Sequence, residues 1–328
     1  MTYRPIVATV IGDPGGIGPE VCVKALASGI PQTAAIQVLI GDMDTIQRAD
    51  GICGTGLKLE RIGSLTEAQT DSGAVPVFSH PSDLAKRFPL GEIRADSARA
   101  AMTWLHEGIR LAESGAAQAL VMGPFDSKAL ALAGFAIDAP EFEPPGTYQL
   151  RIGGPLRVVP ITEHIRIRDV PATVVADKIQ SLIMLVDATL QSWGIARPRI
   201  AVAGLNPHAM FEEEQAEIIP AIQQAKAAGL DVTGPISPDA VFRQAIDGQY
   251  DVVVTMFHDQ GQIAVKTTAF SGACTVFLGL GYPRIGVPHG TAMDIAGTGR
   301  ADPATMISVM TTAGHLASGH LDRITATL

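Results

Sequence analysis

Residues 6–21 read IVATVIGDPGGIGPEV: an apolar, β-branched run, a glycine- and proline-rich turn, and a helix start with Pro19 at its first position. A strand that passes through a tight turn into a helix is the opening of a βαβ unit, and proline suits the first helical position because that N–H has no intrahelical partner. The same alternation continues along the chain. Strands are predicted at Ile6–Ile11, Ile36–Ile40, Ala119–Met122, Arg157–Ile161, Ile200–Ala203, Val252–Met256 and Thr275–Leu278, and helices at Pro19–Ala27, Ala95–Ser114, Pro171–Trp193, Glu213–Ala228 and Pro303–Ala317. This pattern predicts an α/β fold around a mostly parallel sheet. Residues 135–154, FAIDAPEFEPPGTYQLRIGG, are rich in proline, glycine and acids and read as a loop or lid. The IGDPGGIGPE turn has the form of an anion-binding helix start, yet it is neither the dinucleotide fingerprint nor a P-loop, and a plain tight turn accounts for it equally well.

With 328 residues, two domains are the first expectation. The 47% hydrophobic and 17% charged composition is that of a compact enzyme with a sizeable core. A net charge of −9 argues against nucleic acid as a partner, since such binding relies on Lys and Arg replacing counterions. Cys22, Cys53 and Cys274 are odd in number and set in apolar surroundings, so they form neither a disulfide frame nor a zinc site. The first apolar run is too short to span a membrane, and the opening residues lack the pattern of an export signal, so a cytoplasmic location without membrane contact is expected.

In open α/β sheets, ligands bind beyond the carboxyl ends of the strands. Three histidines stand there: His164 closes RVVPITEH, His208 closes RIAVAGLNPH, and His258 closes VVVTMFH. One such ring alone reads better as a strand-end cap; three in the same topological position predict a catalytic metal site, with Zn²⁺ foremost and Mn²⁺, Co²⁺ or Ni²⁺ as the other suitable ions. Asp259 and Asp239 are placed to orient ligand rings or to act as acid or base. His80, His106, His315 and His320 read as ordinary surface or packing histidines. A second loop, GVPHGTAMDIAGTGRAD at 286–302, can wrap an adenosine through His289, Gly290, Asp294 and Gly297, while Lys266 and Arg284 are cations suited to an anionic substrate.

Taken in order, GDPGGIGPE, ITEHIRIRDVP, GLNPHA, GPISPDAVF, MFHDQGQIAVK and PHGTAMDIAGTGRAD resemble the 4-hydroxythreonine-4-phosphate dehydrogenase family of vitamin B6 biosynthesis and its paralogues, within the isocitrate/isopropylmalate dehydrogenase-like superfamily. The resemblance runs through most of the chain. It implies two α/β/α lobes with an active-site cleft between them: a first lobe of residues 1–125 plus 285–328 carrying the cofactor loop, and a second of 126–284 carrying the metal ligands and a dimer interface. It also implies His164, His208 and His258 as metal ligands, Lys266 and Arg284 as substrate-binding cations, Asp239, Asp259 and Lys266 as catalytic residues, and NAD or NADP on His289, Gly290, Thr291, Asp294 and Gly297. A homodimer is implied as well, with the metal site shared so that one ligand comes from the partner chain.

Two departures bear on the substrate. Where the family carries a Gly-His-Thr-Glu segment that holds a phosphate, this chain has DAPEFEPPG, with Pro140 and Glu141 at that place; where the family has a substrate-contacting Asn, it has Thr275. GPFDSKAL at Gly123 is a softer departure. Pro140 lacks an N–H, and Asp138, Glu141 and Glu143 add negative charge, so a non-phosphorylated hydroxy acid of the terephthalate cis-dihydrodiol type is the expected substrate, oxidised and then decarboxylated. The alternative is 4-hydroxythreonine-4-phosphate itself. A metal hydrolase or aldolase, which leaves the PHGTAMDIAG loop without a role, and a two-lobed small-molecule binding protein, whose periplasmic form would need an export signal, are the rival classes.

Overall fold

The computed structural model describes residues 4–69, 73–79, 88–136, 138–269 and 272–324. The fold is mixed α/β. Its strands are β1 Ile6–Val10, β2 Ile36–Ile40, β3 Leu59–Ile62, β4 Val75–Phe78, β5 Ala119–Met122, β6 Tyr148–Gly153, β7 Leu156–Pro160, β8 Ile200–Ala203, β9 Val232–Ile236, β10 Val252–Thr255, β11 Cys274–Leu278 and β12 Arg284–Gly286. The chain divides into two compact units, Met1–Pro145 with Leu280–Ser318 and Gly146–Gly279 with Gly319–Leu328. Residues 126–145 therefore belong with the first unit, not with the second as expected.

In the first unit, β3, β4, β2, β1, β5 and β12 lie side by side in that order, all parallel, with Val10 opposite both Ile40 and Met122. Every residue of β1 and β5 is buried, as central parallel strands require when both faces are covered. Helices Ala95–Glu113 and Ala304–Ala317 pack on β1 and β5, burying Trp104, Leu105, Met306 and Met310 completely or nearly so.

The second unit orders its strands β11, β6, β7, β10, β8, β9. The strands β7, β10, β8 and β9 are parallel, whereas β6 pairs antiparallel with both β7 and β11. Strand β6 falls where a loop was expected. Its YQLRIG sequence has one partner on each side, and that pairing overrides the turn signals before and after it. No helix among the described residues is long and apolar enough to cross a membrane.

Candidate active site

Strand β10 lies between β7 and β8, and the three strand ends are laced together by side chains. The Thr162 hydroxyl donates to the Met256 carbonyl at 2.9 Å; Gln260 accepts from the Met256 N–H at 2.8 Å and donates to the Gly204 carbonyl at 2.9 Å. His164, His258 and His208 follow β7, β10 and β8 in turn, so adjacent parallel strands deliver all three to one sheet edge.

Within one chain, two of the three meet. The His164 and His258 ring centroids are 5.4 Å apart. Glu163 joins them: one donor atom from each of Glu163, His164 and His258 lies within 4.8 Å of the others. His258 opens the helix His258–Thr268, and its Nδ1 is 2.8 Å from Asp259 Oδ1. A carboxylate only accepts, so Nδ1 carries the proton and Nε2 presents a lone pair, the arrangement in which a carboxylate orients a metal-binding imidazole. Two imidazoles and a carboxylate suit a divalent transition metal.

His208 stands apart from that group. It sits in the turn Pro207–Ala209 with left-handed backbone angles, φ 58° and ψ 7°. The buried carboxylate of Glu214 holds this turn by accepting from the N–H groups of Leu205, Asn206 and Phe211 at 2.8, 2.8 and 3.0 Å. Burial alone would raise the Glu214 pKa, but those bonds outweigh it and hold the carboxyl below its ordinary value. His208 is exposed, and the carboxyl of Asp239 is kept low first by the Ser237 hydroxyl at 2.5 Å and to a lesser degree by the charge of His208. Lys266 is exposed near the far end of the helix that His258 begins, about 12 Å along its axis from that histidine. Thr275 on β11 pairs with Arg151 on β6.

The first unit contains the expected cofactor loop. Thr291 is buried, its carbonyl accepts from the Ile17 N–H at 2.9 Å, and its hydroxyl donates to Asp126 at 3.2 Å. A Cβ on Gly16 would come within 2.7 Å of the Thr291 Cβ, so the GDPGG turn needs glycine because this loop docks directly upon it. Glu20, buried in the first turn of helix Gly18–Ala27, accepts from the N–H groups of Gly297 and Gly299 at 2.5 and 2.9 Å. One turn on, Lys24 donates to the carbonyls of Gly299 and Ala301. The helix start read as an anion site therefore clamps the 297–301 segment. His289 Nδ1 donates to the Gly290 carbonyl at 3.0 Å, and Asp294 is exposed on the same loop.

Glu20, Lys24, Glu163 and Asp13 were absent from the residues singled out in the sequence. Asp13 is buried, and burial raises its carboxyl to about 6. Oδ1 accepts from the Gly15 N–H at 2.8 Å, while the buried Oδ2 has no hydrogen-bond partner among the described residues. Arg284 is buried also, donating to the Met122 sulfur and the Glu141 carbonyl, and burial holds its guanidinium below the ordinary range. The Glu141 carboxylate is tied to His106 at 2.9 Å, and Phe142 packs edge-on against Phe125 with centroids 5.1 Å apart. The turn around Pro140 is thus pinned within its unit, and His106 has a partner that its sequence setting did not announce. His80 lies outside the described residues.

Residues 33–313 match the profile of the pyridoxal phosphate biosynthetic protein PdxA. A Novosphingobium aromaticivorans relative, whose name assigns it provisionally as a 4-hydroxythreonine-4-phosphate dehydrogenase, is 45% identical over 96% of each chain. D-threonate 4-phosphate dehydrogenase of Salmonella typhimurium is 36% identical over 92% of this chain and 95% of its own. Among solved structures, a 4-hydroxythreonine-4-phosphate dehydrogenase from Burkholderia phymatum superposes with a TM-score of 0.85 at 34% identity, covering 96% of this chain and 99% of that one. A terephthalate 1,2-cis-dihydrodiol dehydrogenase from Burkholderia xenovorans LB400 reaches a TM-score of 0.70 at 30% identity, over 94% and 98%.

Proposed function

Because the chain belongs to the PdxA family of pyridoxal phosphate biosynthetic proteins, we propose that it is a metal-dependent NAD dehydrogenase of a 4-phosphorylated hydroxy acid. Its relatives at 45% and 36% identity are both named dehydrogenases, and the chain is an oxidoreductase acting on a CH–OH group. The 45% relative carries the substrate class. That match favours the phosphate ester over the dihydrodiol carboxylate expected from the 138–146 segment, since the dihydrodiol enzyme is the more distant of the two solved structures by TM-score. The charge argument against phosphate also weakens, because the Glu141 carboxylate is taken up by His106 and its carbonyl by buried Arg284.

His164 and His258 would hold the divalent ion, with His208 supplied to the same centre across a homodimer. Ile165, Ile167, Met210 and Phe211 are 41%, 64%, 65% and 53% exposed beside His164 and His208, an apolar surface that a second copy would cover. A divalent ion there would lower the pKa of the substrate hydroxyl and so favour hydride departure to nicotinamide. Asp259 keeps the proton on His258 Nδ1, and Asp239, its carboxyl held low by the Ser237 hydroxyl, would accept the hydroxyl proton. The Glu20 and Lys24 clamp presents the loop on which Asp294 accepts from ribose hydroxyls. The oxidised product carries a ketone β to its carboxylate; CO₂ leaves as the C–C electron pair moves into the carbonyl, and a nearby acid protonates the carbon.

The test is NADH formation from 4-phosphohydroxythreonine, D-threonate 4-phosphate and a terephthalate-type dihydrodiol at saturating metal and NAD. A kcat/KM at least roughly a hundredfold higher for a phosphate ester is expected, a floor below the roughly 10⁴-fold gap of sites built to bond a polar group. Efficient turnover of the dihydrodiol alone would overturn the phosphate reading.

A further inference from the structure

We propose that Glu163, oriented by Arg151, is a direct ligand of the divalent ion, so that a single subunit offers a donor set of two imidazoles and one carboxylate. Consecutive residues of an extended segment point to opposite sides, so Glu163 and His164 cannot both face His258 unless the backbone turns between them. It does: the Ile165 N–H donates to the Glu163 carbonyl at 2.8 Å, a three-residue turn centred on His164. Just before that turn, the Thr162 hydroxyl fixes the segment to the end of β10.

The carboxylate is held from behind. Arg151 donates to Glu163 Oε1 and Oε2 at 2.6 and 2.7 Å, a two-pronged pair, and its side chain is only 4% exposed. The same guanidinium also donates to the Gln149 carbonyl and to Gln149 Oε1, both at 3.1 Å. A carboxylate has about four lone-pair directions, and the Arg151 fork occupies one on each oxygen. The others remain for an ion. Donors on a common ion at about 2.1 Å lie roughly 3–3.5 Å apart, so the 4.8 Å group is wider than a loaded site by no more than about 2 Å. Arg151 does not touch the ion; it is a positioning residue, and its β6 strand lies in register with Thr275 of β11.

The assignment rests on the metal reading above, and titration of Co²⁺ into the metal-free full-length chain separates the two. Glu163→Gln is expected to weaken Co²⁺ binding roughly ten- to hundredfold and to change its visible absorption bands, with Glu163→Asp restoring part of both. Because Glu163→Gln leaves Arg151 buried without its anion, the pair Arg151→Met with Glu163→Gln removes both charges together; it should melt nearer to wild type than the single variant and still bind Co²⁺ weakly. Wild-type affinity and an unchanged spectrum in both the single and the double variant would overturn the Glu163 assignment. A wild-type chain that takes up no Co²⁺, Zn²⁺ or Mn²⁺ would overturn the metal reading and this assignment with it.

Discussion

Asp13→Asn should change how stability depends on pH. Asp13 is 1% exposed, its Oδ2 lacks a partner among the described residues, and its pKa stands at about 6 against an ordinary 3.8. Burial is the main cause; the Gly15 N–H pulls the other way, and the charges of Asp126 and Asp96 add to the rise. The folded chain therefore holds this proton more tightly than the unfolded chain, and stability is lost as pH climbs from 3.8 through about 6. At about 1.36 kcal/mol per pK unit the full loss is about 3 kcal/mol, of which about 2 kcal/mol falls between pH 4.5 and 7. Asparagine keeps the acceptor for Gly15 and has no charge to desolvate. Its Nδ2 is an unpaired buried donor costing about 1–3 kcal/mol, a cost that does not vary with pH. Urea unfolding can be followed by the fluorescence of buried Trp104 in a Trp193→Phe background, which confines the signal to the first unit. The stability of Asp13→Asn minus that of its parent should rise by about 2 kcal/mol from pH 4.5 to 7 and then level off. A difference constant to within about 0.5 kcal/mol across that range would refute the reasoning, because only an Asp13 that ionises alike in both states gives a flat line.

Glu20→Gln leaves one carbonyl oxygen for two N–H donors, so the 297–299 segment loses a charge-assisted bond of about 1.5–3 kcal/mol. NAD binding should weaken by about tenfold or more in fluorescence titration while Co²⁺ content is unchanged; an unaltered NAD affinity would count against the clamp. His208→Ala should lower kcat by roughly a hundredfold or more and leave the melting temperature and NAD affinity near wild type, because the exposed ring supports the reaction and not the core. Near-native turnover in that variant would remove His208 from the site.

Strands β1, β2, β5, β7, β8, β10 and β11 were legible in the sequence: they are mostly apolar, β-branched runs, and their ends lie within a residue of expectation. The others lacked that signal for identifiable reasons. LERI carries two adjacent charges, VPVF and VTGPI contain proline, RIG has only 3 residues, and β3 and β9 lie at the ends of the strand order. The helix expected over Pro171–Trp193 stops at Thr173 and restarts at Ala176, because Val175 is extended at φ −119° and ψ 148°. Residues 126–145 group with the first unit through contacts at a distance along the chain, Arg284 to the Glu141 carbonyl and His106 to its carboxylate, which no local pattern announces.

The site was legible where position along the chain carries the chemistry, and illegible where a partner does. His164 and His258 follow strands directly, and the rule that ligands gather beyond strand carboxyl ends finds them without any contact being known. Glu163 is different: its orientation depends on Arg151, on a strand that read as loop. Glu20 and Lys24 make the case most sharply. They are one turn apart on a helix whose other residues are all apolar or glycine and, but for the terminal Ala27, buried, so as plain surface charges they would be misplaced. An acid and a base at i and i+4 ordinarily read as a solvated ion pair worth a few tenths of a kcal/mol. Here each instead bonds the backbone of 297–301, the carboxylate to two N–H groups and the ammonium to two carbonyls, so the pair grips both polarities of one loop. Charges kept on an otherwise apolar helix face thus mark a segment of irregular backbone that must be satisfied there, and in this chain that segment is the glycine-rich loop that the sequence assigned to the cofactor.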